Sequence, residues 1–378
     1  MSPVPARRVA GLRRTLIREL FESAPPDAVN LGLGQADLPV PQELRQALRE
    51  AAAGPDGYGP TAGDPGLRGD VARSYPGFVD GPDHVLITAG CQEALFLALG
   101  SLLDAGDEVL VPEPGFPGAQ RAAEIWGARA RTYPLRPENR FHLDPDELLA
   151  LISPATRAVV VISPSNPIGT VEPRETLDRL VAGSAEQGVC LLIDDTYRAY
   201  HWIGDGPAPG PPPVPAENVV ACGGLSKSPG LAGWRVGWLA CPDAAFVSRV
   251  AALHQTVMTC HATPLQLAAR AAFAEPGLAL MTRFAEPFRA RRRLVQETLG
   301  IPEDGGLAPL EGAFYAWVPT TQPAARVART MIDEDRIVVV PGEAFGRGAE
   351  HRLRVSYALP PPDLERALAT IARRIAAP

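Results

Sequence analysis

The sequence contains a single lysine, Lys227, among 36 basic residues, so arginine supplies nearly all of the positive charge. Arginine stays protonated and is a poor nucleophile, whereas a partly buried lysine can lose its proton and form a Schiff base with a carbonyl compound. A chain this rich in Ala, Gly, Pro and Arg can also retain one lysine through compositional bias alone. The count therefore raises the question of a chemical role for Lys227, which its neighbours have to answer.

Metal-binding and redox motifs are absent from the sequence. The five cysteines are scattered without a CxxC pair, and the six histidines form no cluster with the spacing of metal ligands. We therefore expect no metal site and free thiols in a reducing cytoplasm.

Excess positive charge and long apolar runs are also absent. The net charge of −7 argues against a nucleic-acid-binding surface, and the one dense basic run, residues 289–293, fits a solvated helix face. No apolar run approaches the roughly 20 residues that span a membrane, and residues 1–14 lack the apolar core of a signal peptide. We expect a cytoplasmic protein with no nucleic-acid or membrane partner.

From about residue 85, short apolar segments of strand length alternate with segments of helix length. These apolar segments are HVLITAG, DEVLVPE, RAVVVIS, VCLLID, NVVACGG and WRVGWLAC. They are apolar throughout rather than alternating, which is typical of a mainly parallel sheet buried on both faces. The intervening helices indicate the α/β class, and short strands within residues 307–378 indicate a smaller α+β domain.

Other stretches carry local signals. Residues 7–22 have the apolar periodicity of one amphipathic helix, and residues 41–53 have that of a second helix. The Pro/Gly-rich residues 204–215 predict a stiff, extended surface loop. Residues 243–299 predict a long helical stretch that leads away from the sheet.

Unusual polar and aromatic residues follow several of the predicted strands. Ligands bind at the carboxyl ends of the strands in parallel sheets, so these residues are expected to share one crevice. They are Gly90, Cys91, Gln92, Phe116, Asn166, Asp194, Tyr197 and Lys227. Their position independently supports a site that contains Lys227.

With these residues in place, the chain resembles the class I and II aminotransferases, enzymes of fold type I that depend on pyridoxal 5′-phosphate (PLP). The resemblance runs from NLGLGQADLPVP to RLRVSYAL. It includes eight motifs in the order of the family, namely YGPTAGDPGLR, TAGCQEAL, PEPGFPGA, SPSNPIGT, DDTY, SKSPGLAGWRVG, VVVPGEAFG and RVSYA.

The resemblance implies a fold and a division of the chain. A large PLP-binding domain with a mainly parallel seven-stranded sheet would comprise residues 39–260. Residues 261–378 would form the small C-terminal domain, joined by an N-terminal arm of residues 1–38. The family also implies a homodimer with shared active sites.

The resemblance assigns catalytic roles as well. Lys227 would form the aldimine with the aldehyde of the cofactor and move the substrate proton. Asp194 would pair with the pyridine nitrogen and keep it protonated, so that the ring accepts electrons from the substrate. Asn166 and Tyr197 would hydrogen-bond the phenolic oxygen, and Phe116 would stack on the ring, where relatives often have Tyr or Trp.

A phosphate site follows in the same way. Gly90, Cys91 and Gln92 would present backbone N–H groups at a helix N-terminus, and Arg235 would pair with the phosphate. Tyr58 would reach the phosphate of the partner subunit.

One position departs from the family pattern. Many relatives carry a phosphate-binding serine three residues before the lysine, where this chain has Gly224. Ser226 is a candidate to compensate for it.

The substrate carboxylate would be held by Arg354, with the backbone N–H of Gly34 and the side chain of Asn166 nearby. Simpler interpretations exist for several of these residues. Asp194 and Asp195 could cap a helix or bind a metal, Arg354 could belong to a structural ion pair, and Asn166 could initiate a turn.

Three functions are compatible with the sequence. The first is amino-group transfer from an L-amino acid to a 2-oxo acid. The second is another PLP reaction on the same scaffold, either β-elimination or a decarboxylative or oxidative deamination. The third, a cofactor-binding regulatory domain, is disfavoured, because only about 30 residues precede LGLG and a DNA-binding domain would need more.

Overall fold

The computed structural model describes residues 3–55, 57–275, 278–302, 306 and 309–376. Its central feature is a seven-stranded sheet with the order β2-β8-β7-β6-β5-β3-β4. The strands are β2 (Val85–Thr88), β3 (Glu108–Glu113), β4 (Arg129–Pro134), β5 (Thr156–Ile162), β6 (Cys190–Asp194), β7 (Val219–Gly224) and β8 (Gly237–Ala240).

The sheet is mainly parallel, as predicted. Strands β3 to β7 pair in parallel, whereas β8 runs antiparallel to both β2 and β7. Every residue of β2, β7 and β8 is buried, which explains why these strands are apolar throughout. The edge strand β4 is half-exposed and contains two arginines, so it lacks the apolar run by which the other strands were recognised.

Two α-helices lie in the chain shortly before β2, and four more connect the strands from β2 to β6. They are α3 (Gln42–Ala51), α4 (Pro65–Arg73), α5 (Cys91–Leu102), α6 (Gly118–Trp126), α7 (Pro145–Ala150) and α8 (Arg174–Glu186). Helix α5 begins three residues after β2 ends, with Gly90 as its N-cap at φ 86°. This short connection places the N-terminus of α5 at the carboxyl end of the sheet.

The long helical stretch predicted for residues 243–299 is divided into several helices. They are α9 (Ala244–Met258), α10 (Thr263–Ala269), α11 (Ala279–Ala285) and α12 (Pro287–Leu299). The C-terminal part then contains β9 (Tyr315–Pro319), α13 (Ala324–Thr330), β10 (Ile337–Val338), β11 (Val340–Pro341), β12 (Arg352–Ser356) and α14 (Pro361–Ala376). Strands β11, β12 and β9 form an antiparallel sheet of three.

The N-terminal segment differs from its prediction. Residues 7–22 do not form one helix but lie in two short ones, α1 (Arg7–Ala10) and α2 (Leu16–Ser23). No residue of α2 is buried, and Val9, Leu12 and Leu16 stay exposed. The helical period is present, but the helix is interrupted between Gly11, the C-cap of α1, and Thr15, the N-cap of α2, whose side chain accepts a hydrogen bond from Arg18 N. Ile17 of α2 still packs against the core.

The same segment nevertheless reaches the C-terminal part of the chain. Strand β1 (Val29–Asn30) pairs in parallel with β10, and Ser356 N donates to the carbonyl of Leu31 at 2.8 Å. The domain boundaries at residues 38/39 and 260/261 stay a prediction.

The Pro/Gly-rich loop also differs from the expected surface loop. Its ends are exposed, but residues 208 and 210–212 are buried. Arg174 donates to the carbonyls of Gly210 and Pro211, and Arg198 Nε donates to the carbonyl of Ala208 at 3.3 Å. Because arginines from two other segments satisfy its carbonyl groups, this loop can cover part of the core.

Candidate active site

A cleft opens at the carboxyl ends of the parallel strands. Its walls come from the segments that follow β2, β3, β5, β6 and β7. It is lined by Cys91, Gln92, Leu95, Phe116, Ile162, Asn166, Asp194, Thr196, Tyr197, Ser226, Lys227, Ala232 and Arg235. The structure therefore brings together most of the residues predicted from the sequence.

Lys227 lies half-buried in the loop between β7 and β8. Its Nζ donates a hydrogen bond to the carbonyl oxygen of Gly34, and its own carbonyl accepts one from the Tyr200 hydroxyl at 2.6 Å. Nζ also lies 5.4 Å from the centre of the Tyr197 ring. The Tyr200 hydroxyl thus holds the backbone of Lys227, while the amine of Lys227 faces the cleft.

Asp194 ends β6 and points its carboxylate into the same cleft. Thr196 donates twice to Oδ1, through its backbone N at 3.1 Å and through its hydroxyl at 2.5 Å. Burial raises the pKa of the Asp194 carboxyl, and the hydrogen bonds from Thr196 oppose that shift. The arrangement fixes the orientation of the carboxylate through Oδ1.

The adjacent carboxylate, Asp195, points elsewhere. Both of its oxygens accept from the Tyr75 hydroxyl at 3.0 Å, and this hydroxyl also accepts from the Trp238 indole at 3.0 Å. Burial raises the pKa of Asp195 to about 7. The two aspartates therefore form neither a shared helix cap nor a metal pair, and the described residues include no group of three or more ligands arranged to hold a metal.

Two side chains that the sequence separates widely complete the wall beside Lys227. The hydroxyls of Tyr197 and Tyr315 share a hydrogen bond of 2.6 Å. A Cβ added at Gly34 would lie 2.0 Å from the Tyr315 hydroxyl. Any side chain at position 34 would therefore displace this tyrosine, which explains the glycine there.

Arg354 is buried on β12, with 2% of its surface exposed. Nη1 donates to Asn166 Oδ1 at 2.9 Å, Nη2 donates to the carbonyl of Gly32, and buried Nε has no hydrogen-bond partner. The guanidinium lies 4.5 Å from the Tyr315 ring centre, and burial lowers its pKa.

In the described part of the chain, no carboxylate forms an ion pair with Arg354. The structure therefore contradicts the interpretation of this residue as a partner in a structural ion pair. A buried cation without a counter-charge is costly unless an anion binds beside it.

A second cationic group lies at the N-terminus of α5. Arg235 donates to Ser226 Oγ at 3.3 Å, to the carbonyl of Ala232 at 3.2 Å and to the carbonyl of Ala89 at 2.8 Å. A Cβ added at Gly90 would lie 2.4 Å from its guanidinium. Gly90 thus gives Arg235 access to the helix N-terminus, where N–H groups and an arginine together form an anion site.

Position 224 explains the departure from the family motif. A Cβ there would lie 3.1 Å from the carbonyl of Val236 and 3.2 Å from the Cα of Gly237. A serine at this position would need the neighbouring strand β8 to move slightly. Ser226 Oγ faces Arg235 instead, and it lies in the cleft.

Of the predicted residues that do not line the cleft, Gly34, Gly90 and Arg354 each lie against a residue that does. Tyr58 lies apart. It is 91% exposed, in the loop before α4. This position gives it no contact with the site of its own chain.

Sequence reasoning missed several residues that support the site. Thr196 and Tyr315 occur beside or inside recognised motifs, but their contacts were not inferred. His142 was not considered; it lies between Glu172 and Glu311, 3.5 and 3.2 Å away, behind the loop that carries Asn166. Burial lowers the pKa of His142, but the two neighbouring carboxylates, Glu172 and Glu311, outweigh this effect and raise the pKa to about 10.

Comparison with known proteins agrees with this geometry. The family model for aminotransferase class I and II matches residues 26–371. The chain belongs to the class I and II aminotransferases. Members of this family use PLP, and the chain is accordingly a transferase that moves amino groups.

Individual relatives of this aminotransferase span nearly its whole length. The aspartate aminotransferase of Pyrococcus horikoshii is 32% identical over 364 residues, which cover 93% of this chain and 92% of the relative. An arginine–pyruvate transaminase of Pseudomonas aeruginosa is 32% identical and covers 90% of this chain and 88% of its own length.

Solved structures show the same fold. The aspartate aminotransferase from Thermus thermophilus with maleate superposes with a TM-score of 0.89 at 29% identity, covering 99% of this chain and 100% of the other. The α/β fold-type I architecture is thus confirmed. Amino-group transfer is supported by these relatives, and nothing in them favours β-elimination or deamination.

Proposed function

We propose that this aminotransferase binds PLP through Lys227 and moves the amino group of an L-amino acid to a 2-oxo acid. The observation that carries the proposal is the placement of the only lysine of the chain. Its amine shares one cleft with the carboxylate of Asp194 and with the guanidinium of Arg235. Arg235 donates to Ser226 Oγ and to two backbone carbonyls, and no carboxylate pairs with it in the described part of the chain.

The residues of the cleft fit the cofactor. Its phosphate matches the N–H groups of Cys91 and Gln92 together with Arg235 and Ser226, because anions bind well at helix N-termini. The N–H of Gly90, also predicted as a donor, is not available, because it donates to the carbonyl of Thr88 at 2.8 Å. The pyridinium of the cofactor matches the carboxylate of Asp194. The phenolic oxygen matches Asn166 and Tyr197, and Phe116 offers a ring face for stacking.

When bound, PLP supplies an electron sink for the electron pair left at the substrate Cα. The side chains of the cleft supply the attachment of the cofactor, the proton transfer and the orientation of the ring. Lys227 Nζ would hold the cofactor through its aldehyde carbon, and its free amine would take the proton from the substrate Cα. Asp194 would keep the proton on the ring nitrogen, and Tyr197 would orient the ring through its hydroxyl.

Arg354 would bind the substrate α-carboxylate, assisted by Asn166 and by the backbone N–H of Gly34. Replacement by alanine is expected to raise KM for amino acids by roughly 10- to 150-fold, because a hydrogen bond to a charged group contributes about 1.5–3 kcal/mol. Steady-state kinetics with one amino donor would measure this change.

Arg352→Ala is the matched control. Arg352 lies on the same strand, stacks on Phe141 at 5.1 Å and donates to the carbonyl of Trp317 at 3.3 Å. An unchanged KM for Arg354→Ala, or an equal rise for both variants, would mean that the carboxylate is held elsewhere.

The proposal includes a homodimer in the cytoplasm. Tyr58 is 91% exposed on its own chain, and Val257 and Met258 are also exposed apolar residues. A partner subunit would cover such side chains and receive the Tyr58 hydroxyl at its phosphate site. The five cysteines are free thiols, which suits a reducing compartment. Among the described helices, none is long and apolar enough to cross a membrane.

An absorbance experiment tests the reaction and identifies the donor. The purified holoenzyme is scanned before and after single L-amino acids are added without an oxo acid. We expect one or more amino acids to remove the visible absorbance of the cofactor and to release one equivalent of oxo acid. Persistent visible absorbance with continuing formation of oxo acid and ammonia would instead show a lyase or a deaminase.

A further inference from the structure

The backbone of Arg235 adopts an unusual conformation. Its φ is 55° and its ψ is 46°, in the left-handed region that residues other than glycine seldom occupy. The conformation turns the guanidinium toward the carbonyl of Ala89 and toward Gly90, at the N-terminus of α5. Something must stabilise this backbone, because it would otherwise relax to a more favourable region.

The carbonyl of Arg235 has one close side-chain contact, His261 Nε2 at 2.6 Å. His261 is buried, with 2% of its surface exposed. A carbonyl oxygen can only accept, so Nε2 carries the proton in this hydrogen bond. The donor therefore acts on the peptide group that follows the strained φ of Arg235.

His261 is in turn held by a second buried residue. Gln266 Nε2 donates to the carbonyl of His261 at 2.8 Å, and Gln266 Oε1 accepts from Asp64 N at 2.7 Å. Gln266 is 1% exposed. Gln266 thus ties the backbone of His261 to the loop that follows Tyr58, while the imidazole contacts the loop that carries Arg235.

We propose that His261 is a positioning residue for Arg235. Its Nε2–H fixes the left-handed backbone that aims the guanidinium at the phosphate site formed by the N-terminus of α5. The inference rests on the proposed function, in which Arg235 binds the cofactor phosphate. His261 itself lines no part of the cleft, so it acts on the phosphate only through Arg235.

This role predicts an effect specific to the phosphate. Loss of the Nε2–H donor should weaken PLP binding about tenfold, which is about the contribution of the one hydrogen bond that holds Arg235 in place. Binding of pyridoxal, which has the same ring and aldehyde but no phosphate, should stay within about twofold. A general loss of packing would weaken both ligands equally.

The experiment compares His261→Leu, His261→Asn and His261→Gln. Each holoenzyme is stripped of cofactor and titrated with PLP or pyridoxal, with visible absorbance as the readout. A glutamine amide can reach the place of Nε2, whereas the shorter asparagine cannot, so His261→Gln should retain PLP affinity and His261→Asn should lose it. The Asn and Gln pair decides the question even if the leucine variant does not fold.

His84→Leu provides the matched control. His84 is half-buried and its Nδ1 contacts the carbonyl of Cys241 at 3.2 Å, at the opposite end of β2 from Gly90. Its replacement should leave the ratio of PLP to pyridoxal affinity unchanged. An equal loss of both affinities in the His261 variants, or no loss of either, would overturn the proposal.

A double-mutant cycle with Arg235→Leu tests whether His261 acts through Arg235 or independently of it. In that background, His261→Asn should cause no further change in the ratio of the two affinities; a further loss would show that His261 acts independently of Arg235 and would overturn its role. If the unmodified protein fails to distinguish PLP from pyridoxal, the proposed function itself fails, and this inference with it.

Discussion

Replacement of Lys227 by alanine is expected to lower kcat by about 10³-fold or more, while the fold is retained. The residue supplies both the covalent attachment of the cofactor and the general base, and proton transfer alone contributes roughly 10²–10⁴ in rate. No other lysine exists in the chain to replace it. Single-turnover and steady-state rates would measure the loss.

Lys227→Arg is the matched variant, because it keeps the charge but has no nucleophilic amine. It should be nearly as inactive as Lys227→Ala. The free energy of unfolding of both variants should lie within about 1.5 kcal/mol of that of the unmodified protein, since the hydrogen bond lost is the one from Nζ to the carbonyl of Gly34. Substantial turnover in either variant would contradict the mechanism.

Asp194→Asn is expected to lower kcat by roughly 10²- to 10³-fold. An asparagine preserves the shape and can accept the hydrogen bonds from Thr196, but it carries no charge to hold a proton on the ring nitrogen. Removal of one partner from a buried ion pair costs about 3–5 kcal/mol. Kinetics of the holoenzyme and the visible spectrum as a function of pH would both report this change.

The neighbouring carboxylate provides the control for Asp194. Asp195 is buried, but its oxygens accept from Tyr75 rather than facing the cleft. The main effect of Asp195→Asn should be on the free energy of unfolding, with a smaller effect on kcat. If the two variants lose activity equally, Asp194 has no special relation to the cofactor.

Much of this protein could be predicted from local sequence patterns. The strands β2, β3 and β5 to β8 were recognised because strands buried on both faces are apolar throughout, and the residues that follow them were expected to share a crevice. Strand β4 was missed because an edge strand that is half-exposed can contain Arg129 and Arg131. The single helix predicted for residues 7–22 was wrong because apolar periodicity does not show that one helix ends at Gly11 and another begins after the N-cap Thr15.

The sequence by itself determined the fold class, the family and the chemistry that Lys227 can perform, because backbone period, strand ends and functional groups are local properties. Only the tertiary structure decided which side chains support that chemistry. Tyr197 meets Tyr315 across 118 residues, and Arg354 meets Asn166 across 188. Such pairs depend on how distant segments pack and on the directions in which their side chains point. The hydrogen bond from His261 to Arg235 also joins distant segments, and it cannot be predicted from the residues next to either one in the sequence.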